Sequence, residues 1–175
     1  DNLIVDSMSG VSGAGRGLKL TSHFSEVNES ATAYGVAKHR HTPEMVQELG
    51  TFGRPVKVTF SPHLIPITRG ILSTCYGTLT APLTLAEAHA LYRDFYADAP
   101  CVRVLPPGKM PTTKAVAGTN RCDLGLAIDD TCGRLIVVAA IDNLIKGLAG
   151  AALQCMNLMC GYEETLGLPL VSMWP

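Results

Sequence analysis

What this sequence lacks narrows the reading before any motif is found. No apolar run reaches the roughly 18 uncharged residues that a membrane-spanning helix needs, and no basic stretch followed by a hydrophobic one opens the chain. Neither membrane insertion nor secretion is expected, and a cytoplasmic setting is. Charge of one sign is not in excess: the 175 residues carry a net charge of −1 with a pI near 6.6, which removes the basic footprint of a nucleic-acid binder. The six cysteines (Cys75, Cys101, Cys122, Cys132, Cys155, Cys160) include no CxxC pair and lie on apolar strand-like and helical stretches. Buried, reduced thiols are therefore expected in place of a disulfide frame. Missing too are a G-x-S-x-G elbow, a Walker loop and a cysteine beside a recognisable base.

What is there describes one folded domain. Hydrophobic residues make up 47% and charged residues 17%, enough to bury a sizeable core. "NLIVDSM" reads as a strand, followed by the glycine loop "SGVSGAGRGLKL" and a weakly helical or irregular "GLKLTSHFSEV". "AYGVAKHRH" is expected to be extended, and "TPEMVQELG" to be a helix with Thr42 as N-cap, Pro43 in the first turn and Gly50 as its stop. "VKVTFS" and "RGILSTCYGTL" alternate as strands joined by the loop "PHLIPIT". In "TLAEAHALYRDFYADAP", Thr84 and Glu87 form a capping box before a helical repeat. "CVRVLP" and "DLGLAIDDTCGRLIVVAAID" add three strands, the last two joined by a turn at Asp129–Gly133. A final helix runs through "DNLIKGLAGAALQCMNLMCGY", and "PPGKMPTTKAVAGTN" reads as a mobile-looking connection. The order predicts an α+β domain: a mostly antiparallel mixed sheet with helices on one face. The first residue, Asp1, already stands at the lip of a strand, so a segment upstream is expected.

Candidate chemistry clusters in a few places. The run Gly13-Ala14-Gly15-Arg16-Gly17 is close to, but not, the G-x-G-x-x-G fingerprint, and no second parallel strand ending in an acid follows it. A structural turn and a phosphate or cofactor contact are equally open for it. In "KHRHTPE", His39 and His41 flank Arg40, with Glu44 on the first helical turn; an extended segment would point both imidazoles to one side. That suits a base with an orienting carboxylate, or a metal lacking a visible third ligand, or histidines at a helix start. His63, between Pro62 and Pro66, reads as packed in a rigid turn. Asp142 is the natural N-cap of the last helix, leaving Asn143 and Lys146 free for a ligand.

Taken together, "SGVSGAGR", "YGVAKHRHTPE", "SPHLIPITRGIL", "GTNRCDLG" and "IDNLIKGLAGAALQCMNLMCGYEETLGL" resemble the C-terminal portion of the N-acetyl-γ-glutamyl-phosphate reductase family, over nearly the whole chain. The resemblance implies kinship with aspartate-semialdehyde and glyceraldehyde-phosphate dehydrogenases. It implies an NADP-binding Rossmann domain and a nucleophilic cysteine upstream of this chain, since none of the six cysteines sits in that family's cysteine motif. Residues 1–141 would then be the catalytic and dimerisation domain, and 142–175 a helix and tail packing on the NADP-binding domain. The implied activity is reduction of N-acetyl-γ-glutamyl phosphate by NADPH, with phosphate leaving, in arginine biosynthesis, within a homodimer or homotetramer of the cytoplasm or a plastid stroma. His39 would be the acid/base, oriented by Glu44. Ser9, Gly13 and Ala14 would line the cofactor, reached also by Asn143 and Lys146. Arg16, Arg40, His41 and His63 would be candidates for the substrate's phosphate or carboxylate, and no metal is implied. A non-catalytic interaction module and a metal-binding protein are the alternatives.

Overall fold

The computed structural model describes residues 2–173. Its elements, in chain order, are β1 (Asn2–Ser9), α1 (Phe24–Val27), β2 (Thr32–Ala33), α2 (Thr42–Gly50), β3 (Lys57–Leu64), β4 (Ile71–Thr78), α3 (Leu85–Phe95), β5 (Val102–Val104), α4 (Thr113–Val116), β6 (Cys122–Asp129) and β7 (Arg134–Ile141). A π turn at Ile145–Ala149 then runs into α5 (Gly150–Met159). The strands form one mixed sheet in the order β2-β3-β1-β4-β7-β6-β5. Its β1–β3 and β5–β6 ladders are parallel and the other four antiparallel. This is the expected α+β architecture. Among the described residues no helix is long and apolar enough to cross a membrane.

The two-residue period of the strands sorts the sheet into two unlike faces. Val5 of β1 lies opposite Phe60 of β3 and Cys75 of β4, and the row continues through Val137 to Leu126. Helices α2 and α3 cover this face. Tyr92 and Tyr96 of α3 lie near Cys75 and Cys122, and α2 packs beside β3. On the other face only the β6–β7 end is closed, where Lys109, Met110 and Pro111 press on Gly125. Ile4 and Met8 share that face and stay 39% and 44% exposed.

Local signals account for several element boundaries. α3 opens as predicted: the Thr84 hydroxyl accepts the Glu87 N–H, and the Glu87 carboxylate accepts the Thr84 N–H at 2.8 Å. Three expectations are corrected. "AYGVAKHRH" is not extended but folds into turns, with Gly35 and Ala37 at φ of 56° and 57°. The N-cap of α2 is His41, without a side-chain cap, and the helix includes Gly50. The expected loop "PHLIPIT" begins as strand, because Ser7–Ser9 of β1 pair with Pro62–Leu64 and extend β3. The connection "PPGKMPTTKAVAGTN" holds α4, whose Thr112 hydroxyl accepts the Ala115 N–H. The C-terminal segment is stitched to the sheet domain through Asn120, whose N–H donates to the Pro169 carbonyl and whose amide donates to Gln154.

Candidate active site

The glycine loop is zipped onto the turn between β3 and β4 at one end of the sheet. The N–H groups of Gly10, Val11 and Ser12 donate to the carbonyls of Gly70, Ile67 and Thr68 at 2.9, 2.9 and 3.1 Å. A Cβ on Gly10 would stand 2.9 Å from the Thr68 oxygen, so a side chain there would force the two segments apart. Asn143, just past β7, clamps the junction: its Oδ1 accepts the Gly70 N–H at 2.7 Å, and its Nδ2 donates to Ser12 Oγ at 2.9 Å. The neighbouring Asp142 carboxylate is fully buried. It accepts the N–H groups of Gly118, Leu144 and Ile145 and faces the Arg69 guanidinium at 3.5 Å. The N-cap position of the helical segment is Leu144 and not Asp142; Asp142 nevertheless accepts the N–H groups of Leu144 and Ile145 at its start and ties three segments together.

Ser9, Gly13 and Asn143 are brought together by this clamp. A Cβ on Gly13 would lie 3.2 Å from Ser9 Oγ and 3.6 Å from Asn143 Nδ2, so the glycine leaves a small recess beside a hydroxyl and an amide. Ala14 closes the same short 3₁₀ turn and is exposed. Lys146 points elsewhere: its Nζ donates to Gln154 Oε1 at 2.7 Å, which also accepts from Asn120.

His39 forms a second cluster on the helix-covered face. The turn carrying it hangs from β3, with the N–H groups of Tyr34 and Ala37 donating to the carbonyls of Pro62 and Phe60. The imidazole meets Phe60, Tyr34 and His41 edge-on, at ring distances of 5.1, 5.6 and 4.9 Å. The backbone N–H of His41 donates to Nδ1 at 3.3 Å. With Nδ1 an acceptor, a neutral ring carries its proton on Nε2. Burial, then the charges of His41 and Arg40, hold the His39 pKa below its ordinary value; the amide aimed at Nδ1 opposes protonation in the same sense. Burial also raises the Tyr34 phenol, with Arg40 partly offsetting it. Phe60 sits level with Val5, and Ser9 is four residues further along β1. The His39 cluster and the glycine loop are thus separated along the strand by roughly 13 Å.

Not every expected residue joins these clusters. Arg40 and His41 stand exposed beside His39, whereas Glu44 makes no hydrogen bond or ion pair among the described residues. His63 lies on the opposite face, its Nδ1 3.4 Å from Asp6 Oδ1 in a contact too poorly aligned to be a hydrogen bond. Arg16 is not among the residues of the Asn143 clamp and lines a neighbouring cleft against Pro66–Thr68. Burial raises the Cys75 thiol and pushes Cys122 to about 11, and Asp129 raises Cys132, so all three are held as thiols. No group of three metal-ligating side chains occurs among the described residues. Sequence reasoning missed Tyr34, Ser12 and Gly70 as parts of these clusters. Tyr34 and Ser12 fall inside quoted motifs, but nothing local announces that Asn143 will grip Gly70, 73 residues away.

Residues 1–143 match the family model of the semialdehyde dehydrogenase dimerisation domain. The chain belongs to that family. The chain is 57% identical over 99% of its length to an N-acetyl-gamma-glutamyl-phosphate reductase of Pelotomaculum thermopropionicum, and 54% identical over 99% to one of Moorella thermoacetica, covering 50% of each. The chain spans about half the length of the curated relatives it matches. Among solved structures, it is similar in fold to aspartate semialdehyde dehydrogenase II of Vibrio cholerae complexed with ASA (TM-score 0.69, 16% identity, 91% of this chain and 55% of that one). Aspartate semialdehyde dehydrogenase of Francisella tularensis is similar too (TM-score 0.69, 14% identity, 90% and 57%).

Proposed function

We propose that this chain is the acid/base and dimerisation portion of a reductase converting N-acetyl-γ-glutamyl phosphate to N-acetylglutamate 5-semialdehyde with NADPH, in arginine biosynthesis. The observation that carries the reading is His39: a low-pKa imidazole with Nδ1 capped by a backbone N–H, on the same face as Ser9. Such a ring is neutral near pH 7: its Nε2–H donates a hydrogen bond that stabilises an oxygen on which negative charge develops, and the ring is free to take up a proton as a base. The thiolate that carries the acyl group belongs to a cysteine outside this chain. The raised thiols of Cys75 and Cys122 suit buried packing and not attack.

The recess at Gly13 fits the nicotinamide end of the dinucleotide, because an added Cβ would fill it. NADPH supplies the hydride there. Ser9, Gly13 and Ala14 line the recess, Asn143 fixes the loop that forms it, and Lys146 would reach the cofactor by exchanging its Gln154 partner. Arg40 and His41, beside His39, are placed for the substrate's phosphate or carboxylate. Glu44 would orient His39 only after a rotation toward it. His63, on the other face, fits the open sheet surface around Ile4 and Met8, which supports pairing with a second copy. A bacterial cytoplasm is the setting proposed, in keeping with the bacterial relatives.

The test mixes this chain with a separately expressed NADP-binding half carrying the cysteine and follows phosphate-dependent NADP reduction by N-acetylglutamate 5-semialdehyde. Turnover confined to the mixture, falling at least a hundredfold with His39→Ala, is expected. Folded, associating halves without turnover would overturn the reading.

A further inference from the structure

Beside the glycine loop, between residues 11–28 and the turn Pro66–Thr68, opens a cleft of about 850 Å³, within the size range of small-molecule sites. Its charged lining is of one sign: Arg16 and Lys19 border it beside the His23 imidazole and no carboxylate does, in a chain whose acids outnumber its bases, 15 to 14 without histidine. None of these three side chains makes an ion pair or hydrogen bond among the described residues. The rest of the lining is largely apolar, with Val11, Phe24, Val27 and Ile67 among it.

Both walls are held in place. The Val11 and Ser12 N–H groups pin one wall to Ile67 and Thr68. On the other, the Ser22 hydroxyl and N–H both donate to the Lys19 carbonyl, and the His23 N–H donates to Leu20. Lys19 and His23 therefore flank a fixed turn. Arg16 and Lys19, exposed and without a carboxylate partner, set up a positive potential at the cleft mouth beside the solvent-facing Leu18, Leu20 and Phe24, and favour charge-assisted hydrogen bonds made there. Ser12 connects the cleft directly to the Asn143 clamp.

We infer that this cleft is an oxyanion subsite, built by Arg16, Lys19 and His23, for a carboxylate or phosphate carried on an apolar body. The site stands on the charge and shape of the cleft. Its assignment to the reductase substrate rests on the function proposed above.

The test is a nuclear magnetic resonance titration of the isotope-labelled 175-residue chain with inorganic phosphate, N-acetylglutamate or NADP⁺ in turn, with chloride at matched ionic strength as control. Saturable shifts at Arg16, Lys19 and His23 are expected, weakened about tenfold by Lys19→Gln and abolished by Arg16→Gln/Lys19→Gln. Tighter phosphate assigns the subsite to a phosphoryl group, and tighter N-acetylglutamate to a carboxylate. Competition by NADP⁺ against either places the oxyanion on the cofactor. Shifts that do not saturate, that chloride reproduces, or that persist in the double variant while its amide spectrum remains folded would overturn the subsite. Turnover by the mixed halves without such binding removes the subsite and leaves the reductase reading standing; binding without turnover does the reverse.

Discussion

Replacing Asn143 by alanine separates a clamp from a simple ligand residue. The side chain is 6% exposed and serves both partners at once, accepting the Gly70 N–H at 2.7 Å and donating to Ser12 Oγ at 2.9 Å. Alanine leaves the Gly70 donor buried and unsatisfied, a loss of about 1–3 kcal/mol, and removes a second bond of about 1 kcal/mol. The sum, roughly 2–4 kcal/mol, corresponds to a fall in Tm of roughly 5–15 °C for a domain of this size. Calorimetry of the 175-residue chain reads the shift, and amide hydrogen exchange reads the cause: Gly70 should lose protection while amides of β6 keep theirs. Ser12→Ala combined with Asn143→Ala should cost less than the two single changes added, because they share one bond. A residue that only touched a cofactor would leave the stability of this chain unaltered. A Tm within 2 °C of the parent (a shift worth at most about 1 kcal/mol) together with unchanged Gly70 exchange would refute the clamp.

Four further outcomes follow from contacts already described. His39 should titrate by nuclear magnetic resonance with a midpoint below the ordinary 6.5, since burial and the His41 and Arg40 charges favour the neutral ring. The unfolded chain then binds more protons between the lowered value and about 6.5, so stability from this residue grows as pH rises through that window and is lost as pH falls through it; a midpoint at or above 6.5 would contradict the site geometry. Arg103→Met should cost about 3–5 kcal/mol in urea unfolding, because Asp123 is 1% exposed and would be left without its partner. Gly150→Ala should destabilise by about 1–3 kcal/mol, since its Cβ would collide with the Asn120 amide and Ile145; a neutral result would mean the helix shifts freely. Against a thiol reagent at pH 8, exposed Cys155 and Cys160 should react first, and Cys122 far more slowly, its thiolate fraction being about one in a thousand for a pKa of about 11, with the buried Cys101 also protected.

Features whose cause is local were legible in the chain. Thr84 and Glu87 lie three residues apart and satisfy each other's backbone groups, so the start of α3 could be read directly. The turn after Asp129 is likewise self-contained, with the Asp129 carboxylate accepting the Thr131 N–H. Features set at a distance were not. "AYGVAKHRH" alternates well enough to suggest a strand, yet its partner strand β3 accepts only the two-residue β2 and two single amides, and the rest turns. His63 looked like a residue in a rigid turn, but pairing with β1 turned it into a strand residue and sent it to the face away from His39. The meeting of Ser9, Gly13 and Asn143 came from family resemblance and not from spacing, because a contact across some 130 residues leaves no periodic trace.

The parallel pairing of β1 with β3 gives the chain a modular economy. Because both strands run the same way, the polypeptide must travel out and back between Ser9 and Lys57, and it spends that journey making the glycine loop, the cationic cleft and the His39 turn. Most of the residues proposed for the chemistry therefore lie in one detour, while the sheet it departs from is a common chassis, shared in shape with aspartate semialdehyde dehydrogenases at 14–16% identity. Apart from the two-residue β2 that it contributes to the sheet edge, such a detour can be rewritten, lengthened or exchanged without re-registering β1 or β3–β7, so a new specificity on this fold needs a new journey and not a new sheet.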